Sequence, residues 1–360
     1  MWNDWRWWLG LKPRCALQPA DGFSITAIIP AYNEEASIEE TVRSLQGQSI
    51  ALDEIIVVDD CSTDGTGRVA RSLGVTVIKT PRNQGTKARA QNFALNHVTS
   101  DLFVTVDADT IVAPDAIERS LPYFNDERTC SVCGFIIPQK ITTLWERARF
   151  IEYLFGLMFF KSAQNNIGTV LVSSGCFALF RTEQVKRFGG FDPRTFAEDM
   201  DLTWTLLGEG SRVYYAPDVY CYPIDPPTRT IYVNQLDRWY RGFLQSIAVR
   251  HFRLGKNKKL GVLVYFYLLD FGVAPIATPL LVWFFTGSVT FALSAAVILG
   301  IAIVAISCVV KGLQLGMLVK ALTSLPAYFL VRPVNMFVFW RAIWREWIKR
   351  DKLAVWNKGH

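Results

Sequence analysis

From Leu260 to Val310 the chain carries a single charged side chain, Asp270. A bilayer accounts for such a run, because a spanning helix needs ~20 mostly apolar residues. Up to about Tyr222, by contrast, charges are spread throughout, as in a soluble α/β domain. The fold must therefore serve two solvents. Gly261 to Phe285 is long enough to span, but Asp270, Pro275 and Pro279 interrupt it, which predicts a kink or packing against the soluble domain. Ser288 to Val310 reads as a clean span, whereas Lys320 and Arg332 leave Gln314 to Trp340 ambiguous.

Charge placement sharpens this picture. The net charge is only +6, and the basic residues flank the apolar part. Arg250, Arg253, Lys256, Lys258 and Lys259 come before it, and Arg341, Arg345, Lys349, Arg350 and Lys352 follow. Such placement suits anionic lipid headgroups and a cytosolic location for both clusters, which requires an even number of crossings. It argues against a nucleic-acid partner. The start, Met1-Trp2-Asn3-Asp4-Trp5-Arg6-Trp7-Trp8, reads as an interfacial anchor, and Arg341 to Trp356 as a surface helix with Trp344, Trp347 and Trp356 at the interface. No cleavable signal peptide is visible. Seven irregularly spaced cysteines give no disulfide framework, and a reducing compartment follows. Cys130 and Cys133 read as small residues on or beside a buried strand.

Within the soluble part, apolar β-branched runs alternate with helical patterns. Phe23 to Ile29, Glu54 to Val58, Val75 to Ile78 and Leu102 to Val106 read as strands. Helices are predicted after Glu35, toward Leu73, over Lys87 to Val98 and over Pro114 to Phe124. This alternation predicts a parallel sheet covered on both faces, with ligands at the carboxyl ends of the strands. Pro30, Asp59, Asp60 and Asp107 fall at such ends and should face one cleft. Trp145 to Lys161 is amphipathic and aromatic, which fits a core-facing helix and a membrane-surface helix equally.

Three short motifs carry chemistry. Asp107-Ala108-Asp109 ends an apolar strand, where two carboxylates suit Mg²⁺ or Mn²⁺ and a phosphate ligand. Glu198-Asp199 opens a helix, and a carboxylate there can take a proton from an attacking hydroxyl. Gln235, Arg238 and Trp239 stand at i, i+3 and i+4 and share a helix face, where a guanidinium can grip diphosphate and an indole can stack on a ring.

Taken in order, these motifs resemble those of family 2 glycosyltransferases, especially membrane-embedded polysaccharide synthases. The resemblance includes Pro30-x-Tyr32-Asn33-Glu34, Val58-Asp59-Asp60-x-Ser62, Gly85-x-Lys87-Ala88, Ser174-Gly175 and Gly189-Gly190-Phe191, and covers roughly residues 23 to 245. The synthases of poly-N-acetylglucosamine, chitin-like oligosaccharides and hyaluronan look most similar. The resemblance implies an α/β GT-A fold and inverting transfer from a nucleotide sugar, usually a UDP-sugar. By position it assigns Pro30, Tyr32, Glu34, Asp59, Asp60, Lys87, Asp107 and Arg238 to the donor. It gives Asp109, with Asp107, to the metal and makes Asp199 the base. Gly175, Cys176, Glu198, Gln235 and Trp239 go to the acceptor, a saccharide or lipid-linked saccharide.

The expected organisation is an interfacial segment over 1–22, a cytosolic GT-A domain over 23–225 and an interfacial helix over 226–258. Transmembrane helices over 259–340 and a basic tail over 341–360 complete an integral membrane protein, compatible with a homo-oligomer. Two departures bear on the acceptor: no membrane helix is seen before the domain, and the membrane part is small. Both fit poorly with a synthase that threads its polymer through the bilayer. A single-transfer polyprenyl-phosphate glycosyltransferase is the rival reading, although such relatives generally lack Q-x-x-R-W. A non-catalytic scaffold is disfavoured by the intact acidic residues.

Overall fold

A computed structural model describes residues 22–272, 280 and 283–351. The Trp-rich segment before Gly22, Pro275, Pro279, the side chain of Asp270 and the tail beyond Asp351 lie outside the described residues.

The first half follows the apolar rhythm of the sequence. It runs β1 (Ile25–Ala31), α1 (Ile38–Gln46), β2 (Glu54–Asp59), α2 (Thr66–Ser72), β3 (Thr76–Lys79), α3 (Lys87–Leu95) and β4 (Leu102–Val106). β1 pairs in parallel with β2 and β4, and β2 in parallel with β3. Every residue of β4 is buried, which explains its unbroken apolar run.

Beyond Asp109 the sheet ceases to be parallel. The chain continues through β5 (Thr110–Val112), α4 (Ala116–Ser120), β6 (Thr129–Ile136), α5 (Leu144–Phe155), α6 (Ser162–Asn166), β7 (Phe177–Arg181), α7 (Thr182–Arg187), α8 (Glu198–Gly208) and β8 (Arg212–Pro223). β7 runs antiparallel between β4 and β6, giving an eight-stranded mixed sheet in the order β3-β2-β1-β4-β7-β6-β8-β5. The parallel pairing read from the alternation holds for β1 to β4, and the later strands make the sheet mixed. In β8, Pro217 breaks the strand pattern of the sequence. It falls in an irregular stretch where the register with β6 jumps from Tyr215 to Tyr220, a place where a missing N–H is tolerated. Cys130 and Cys133 are buried on β6, as expected of small strand residues.

α5 resolves the ambiguity of its aromatic stretch. Thr143 and Glu146 form a capping box at its start, and Phe150, Ile151 and Leu154 are buried in the core. This part of the stretch faces inward, while Phe159 farther along is exposed. The helix continues through a π-helical turn, Gly156–Lys161. The last helices are α9 (Arg229–Lys256), α10 (Lys258–Gly272), α11 (Val289–Gln314) and α12 (Leu318–Ile343). α12 packs on α5 and α9, where Glu152 accepts hydrogen bonds from the Tyr232 hydroxyl (2.8 Å) and from the Asn335 amide.

Among the described residues, Leu318–Ile348 is the one helix long and apolar enough to cross a membrane, judged by length and composition. The segment left ambiguous by Lys320 and Arg332 therefore meets that criterion, and α11, of 26 residues, contains the apolar stretch Ile298–Gln314. Val262, Tyr265, Ile298, Ile306, Val319, Leu330 and Phe337 expose large apolar surface across α10 to α12.

α9 also closes against the loop that opens α8. A Cβ on Gly242 would lie 2.7 Å from the Ala197 Cβ and 2.8 Å from its backbone nitrogen. Gly242→Ala is therefore expected to cost ~1–3 kcal/mol through overpacking. Thermal unfolding in detergent checks this, and an unchanged midpoint would show that the contact opens freely.

Candidate active site

A cavity of about 980 Å³ opens at the carboxyl ends of β1 and β4 and is walled by α5, α8 and α9. Its lining brings together Pro30, Tyr32, Glu34, Asp60, Lys87, Asp107, Asp109, Gly175, Cys176, Glu198, Asp199, Gln235, Arg238 and Trp239. Of the residues singled out in the sequence, only Asp59 is not in the lining. Its carboxylate instead accepts the Ser62 amide at 2.9 Å and shapes the turn after β2.

Two strand ends meet at one side of the cavity. Asn33 and Cys61 adopt positive φ of 55° and 61°, a conformation that Asn tolerates better than most residues. The Asn33 side chain accepts the Thr63 amide at 2.8 Å, and the Cys61 thiol donates to the Thr80 carbonyl at 3.2 Å, so each turn is locked by its own side chain. Asp60 accepts from the Gln84 amide (2.9 Å) and the Thr80 hydroxyl (2.7 Å), fixing the loop that leads into α3.

Lys87, the first residue of α3, stands at the centre. Its ammonium pairs with Asp107, donates to the Gly175 carbonyl at 3.0 Å and lies 3.9 Å from Glu198. Burial alone would discharge it, but Asp107 and then Glu198 outweigh that penalty and hold its pKa above the ordinary lysine value. The DAD loop is pinned from several sides. Thr41 on α1 donates to the Ala108 carbonyl at 2.9 Å, while the Gln139 amide (2.9 Å) and the Ile224 N–H (3.2 Å) both reach the Asp109 carbonyl.

The acids experience each other. Burial, followed by repulsion from Asp107, pushes Asp109 up to about 7. Burial likewise raises Glu198 to about 7, against the pull of Lys87 and with further repulsion from Asp199. Asp199 is fixed by backbone amides, with Oδ2 accepting from Gly175 and Oδ1 from Met200, at 2.9 and 2.8 Å. Asp107 and Asp109, two mutually repelling carboxylates at a cavity wall, have the donor chemistry that a hard divalent cation takes alongside phosphate oxygens. Among the described residues, no group of three or more His, Cys, Asp or Glu forms a self-sufficient metal site. A cation there would need oxygens from a ligand.

On α9 the shared face expected of Gln235, Arg238 and Trp239 forms, and the structure adds a residue that the sequence reading missed. Arg149 of α5 is buried, with its guanidinium 4.5 Å from the Trp239 ring centre and 4.6 Å from that of Tyr232. It donates to the Gln235 side chain at 2.8 Å and to Glu152 at 2.7 Å. An arginine beside Phe150 in an aromatic-rich amphipathic stretch was the available signal. Asp225, also missed, follows β8 and accepts from the Tyr153 hydroxyl at 3.1 Å, with Arg149 3.6 Å away. Burial, only partly offset by Arg149, pushes it up to about 7.

Residues 26–189 match the family model described as Glycosyl transferase family 2. Over that stretch the chain is similar to family 2 glycosyltransferases. The chain is 27% identical over 267 residues to the poly-beta-1,6-N-acetyl-D-glucosamine synthase of Staphylococcus aureus, covering 73% of this chain and 64% of that one. It is 29% identical over 278 residues to the hyaluronan synthase of Streptococcus pyogenes, covering 71% and 65%. The chain thus spans slightly under two thirds of those relatives' length. A solved structure, the mannosyltransferase PcManGT of Pyrobaculum calidifontis in complex with GDP-Man and Mn²⁺, aligns over 91% of this chain and 92% of its own. The TM-score is 0.62 at 24% identity, a likeness of fold, and the fold is GT-A.

Asp225 gives the protein a pH signature. Its folded pKa, about 7, lies above the ordinary 3.8, so the folded state holds the extra proton between those values. Stability from this group is therefore lost as pH rises through that window. Asp225→Asn should come closest to wild type in thermal midpoint near about pH 4 and exceed it near about pH 8. A difference of the same size at both pH values would contradict the assignment.

Proposed function

We propose that this chain is a membrane-bound, inverting glycosyltransferase that moves a sugar from a nucleoside-diphosphate sugar to a saccharide or lipid-linked saccharide at the cytosolic membrane face. The observation that carries this reading is the single cavity into which the DAD loop, the Glu198-Asp199 pair and the Gln235-Arg238-Trp239 face all open.

In this reading the acceptor hydroxyl attacks the anomeric carbon of the donor, its proton passes to Asp199, and the bond to the diphosphate breaks with the electron pair leaving on the nucleoside diphosphate. The amides of Gly175 and Met200 hold the Asp199 carboxylate in place for that transfer. Arg238, with a planar charge, takes diphosphate oxygens from the α9 side, and Lys87 contributes a second positive charge from α3. Trp239, backed by Arg149, offers its ring to the acceptor sugar. Asp107 and Asp109 would hold Mg²⁺ or Mn²⁺, which when bound supplies charge neutralisation for the diphosphate. The exposed apolar surface of α10 to α12 supports attachment to the membrane. UDP-sugars are the first donors to try, and GDP-mannose belongs in the panel because the mannosyltransferase structure carries it.

The overall test is release of nucleoside diphosphate from a panel of nucleotide sugars by purified protein with Mg²⁺ or Mn²⁺. No release from any donor sinks the reading. Within it, Asp199→Asn should lower kcat by ~10²-fold or more while donor affinity is nearly unchanged. If donor binding collapses in step with turnover, the base lies elsewhere. EDTA should abolish transfer and Mn²⁺ restore it, and Asp109→Asn should lose metal-dependent donor binding, read by equilibrium dialysis, while keeping its thermal midpoint. Full activity in chelator refutes the metal site.

A further inference from the structure

A further cation in the cavity remains unused by this mechanism. Lys161 ends the π-helical turn after α5, is 4% exposed and lines the cavity. Its ammonium donates to the Ser174 hydroxyl at 2.7 Å and lies 5.5 Å from the centre of the Tyr215 ring. Among the described residues these are its contacts; no carboxylate pairs with it. An ammonium has three donors, and a buried charge without a counter-ion is costly. A hydroxyl and a ring face satisfy it only in part, so the site is built to receive an anion from the cavity.

The surroundings say which anion. Ser174 adjoins Gly175, whose amide holds the proposed base, so the anion would belong to the acceptor. The cavity lining also includes Leu157, Phe243 and Tyr267. Behind it Phe160 packs on Tyr267 and Phe266, ring centres 6.2 Å apart in both cases, and Phe159 and Phe266 are exposed. A charged group next to an apolar route to the surface matches a phosphate on a hydrocarbon chain better than a free ion or a sugar carboxylate. Resting on the proposed sugar transfer, we propose that Lys161 binds the phosphate of a lipid-linked acceptor and selects for it.

The test uses full-length wild type, Lys161→Gln, Lys161→Arg and the near-isosteric Lys161→Met in lipid nanodiscs. Binding is followed by quenching of tryptophan fluorescence with farnesyl phosphate, farnesol, inorganic phosphate and methyl glucuronoside as probes. Losing a charged hydrogen bond should weaken farnesyl phosphate ~10- to 100-fold in both neutral variants, with Lys161→Arg restoring much of it and farnesol unaffected. Equal weakening of farnesol and farnesyl phosphate, or no weakening of either, overturns the proposal and leaves Lys161 a packing residue. Inorganic phosphate bound as tightly as farnesyl phosphate overturns the lipid assignment, as does Lys161-dependent binding of the glucuronoside in place of the phosphate. If Lys161→Gln unfolds, Lys161→Met carries the comparison. Nucleoside diphosphate release from the same wild-type preparation separates the two readings. Release without Lys161-dependent binding sinks only this inference; Lys161-dependent binding without release sinks only the transferase reading.

Discussion

The acidic residues of the cavity can converge only because the Lys87 ammonium is among them. Asp107 ends a strand of one sheet half, while Glu198 and Asp199 open a helix about ninety residues later, and like charges so close would otherwise drive each other apart or take up protons. Lys87 touches Asp107, stands 3.9 Å from Glu198 and holds the Gly175 carbonyl. Gly175 is small for a reason: a Cβ there would lie 3.0 Å from the Lys87 ammonium and 3.2 Å from Asp199. Backbone, cation and base thus share one crowded point. A buried pair of this kind contributes little net stability after desolvation, and its effect is to fix geometry.

α9 extends that geometry toward α12 and the turn that follows it. Asp237 accepts from Arg341 and Arg345, and Arg241 pairs with Glu346. Gln245 donates to the same Glu346 and accepts from the amide of Phe196, three residues before Asp199. The turn that follows α12 is therefore connected through two side chains to the loop carrying the proposed base. The exposed apolar helices and the site are linked through one helix, whose Trp239 is braced by Arg149.

What the sequence determined by itself was local. Apolar runs fixed β1, β2 and β4 because a strand buried on both faces must be apolar along its whole length, and the acids that end those runs fall at the cavity for the same reason. The i, i+3, i+4 spacing put Gln235, Arg238 and Trp239 on one face because helix geometry depends on spacing alone. Tertiary structure decided what depended on partners distant in the chain. Whether the aromatic stretch of α5 faced core or lipid turned on α12 packing against it. β7 and β8 joined a mixed sheet by long-range pairing, which no local pattern encodes, and Pro217 hid β8 until its bulge was visible. Arg149, Asp225 and Lys161 are ordinary charged letters in the sequence. Only the surrounding fold strips their water and aims them at the cavity, and it is desolvation that turns such a residue into a site.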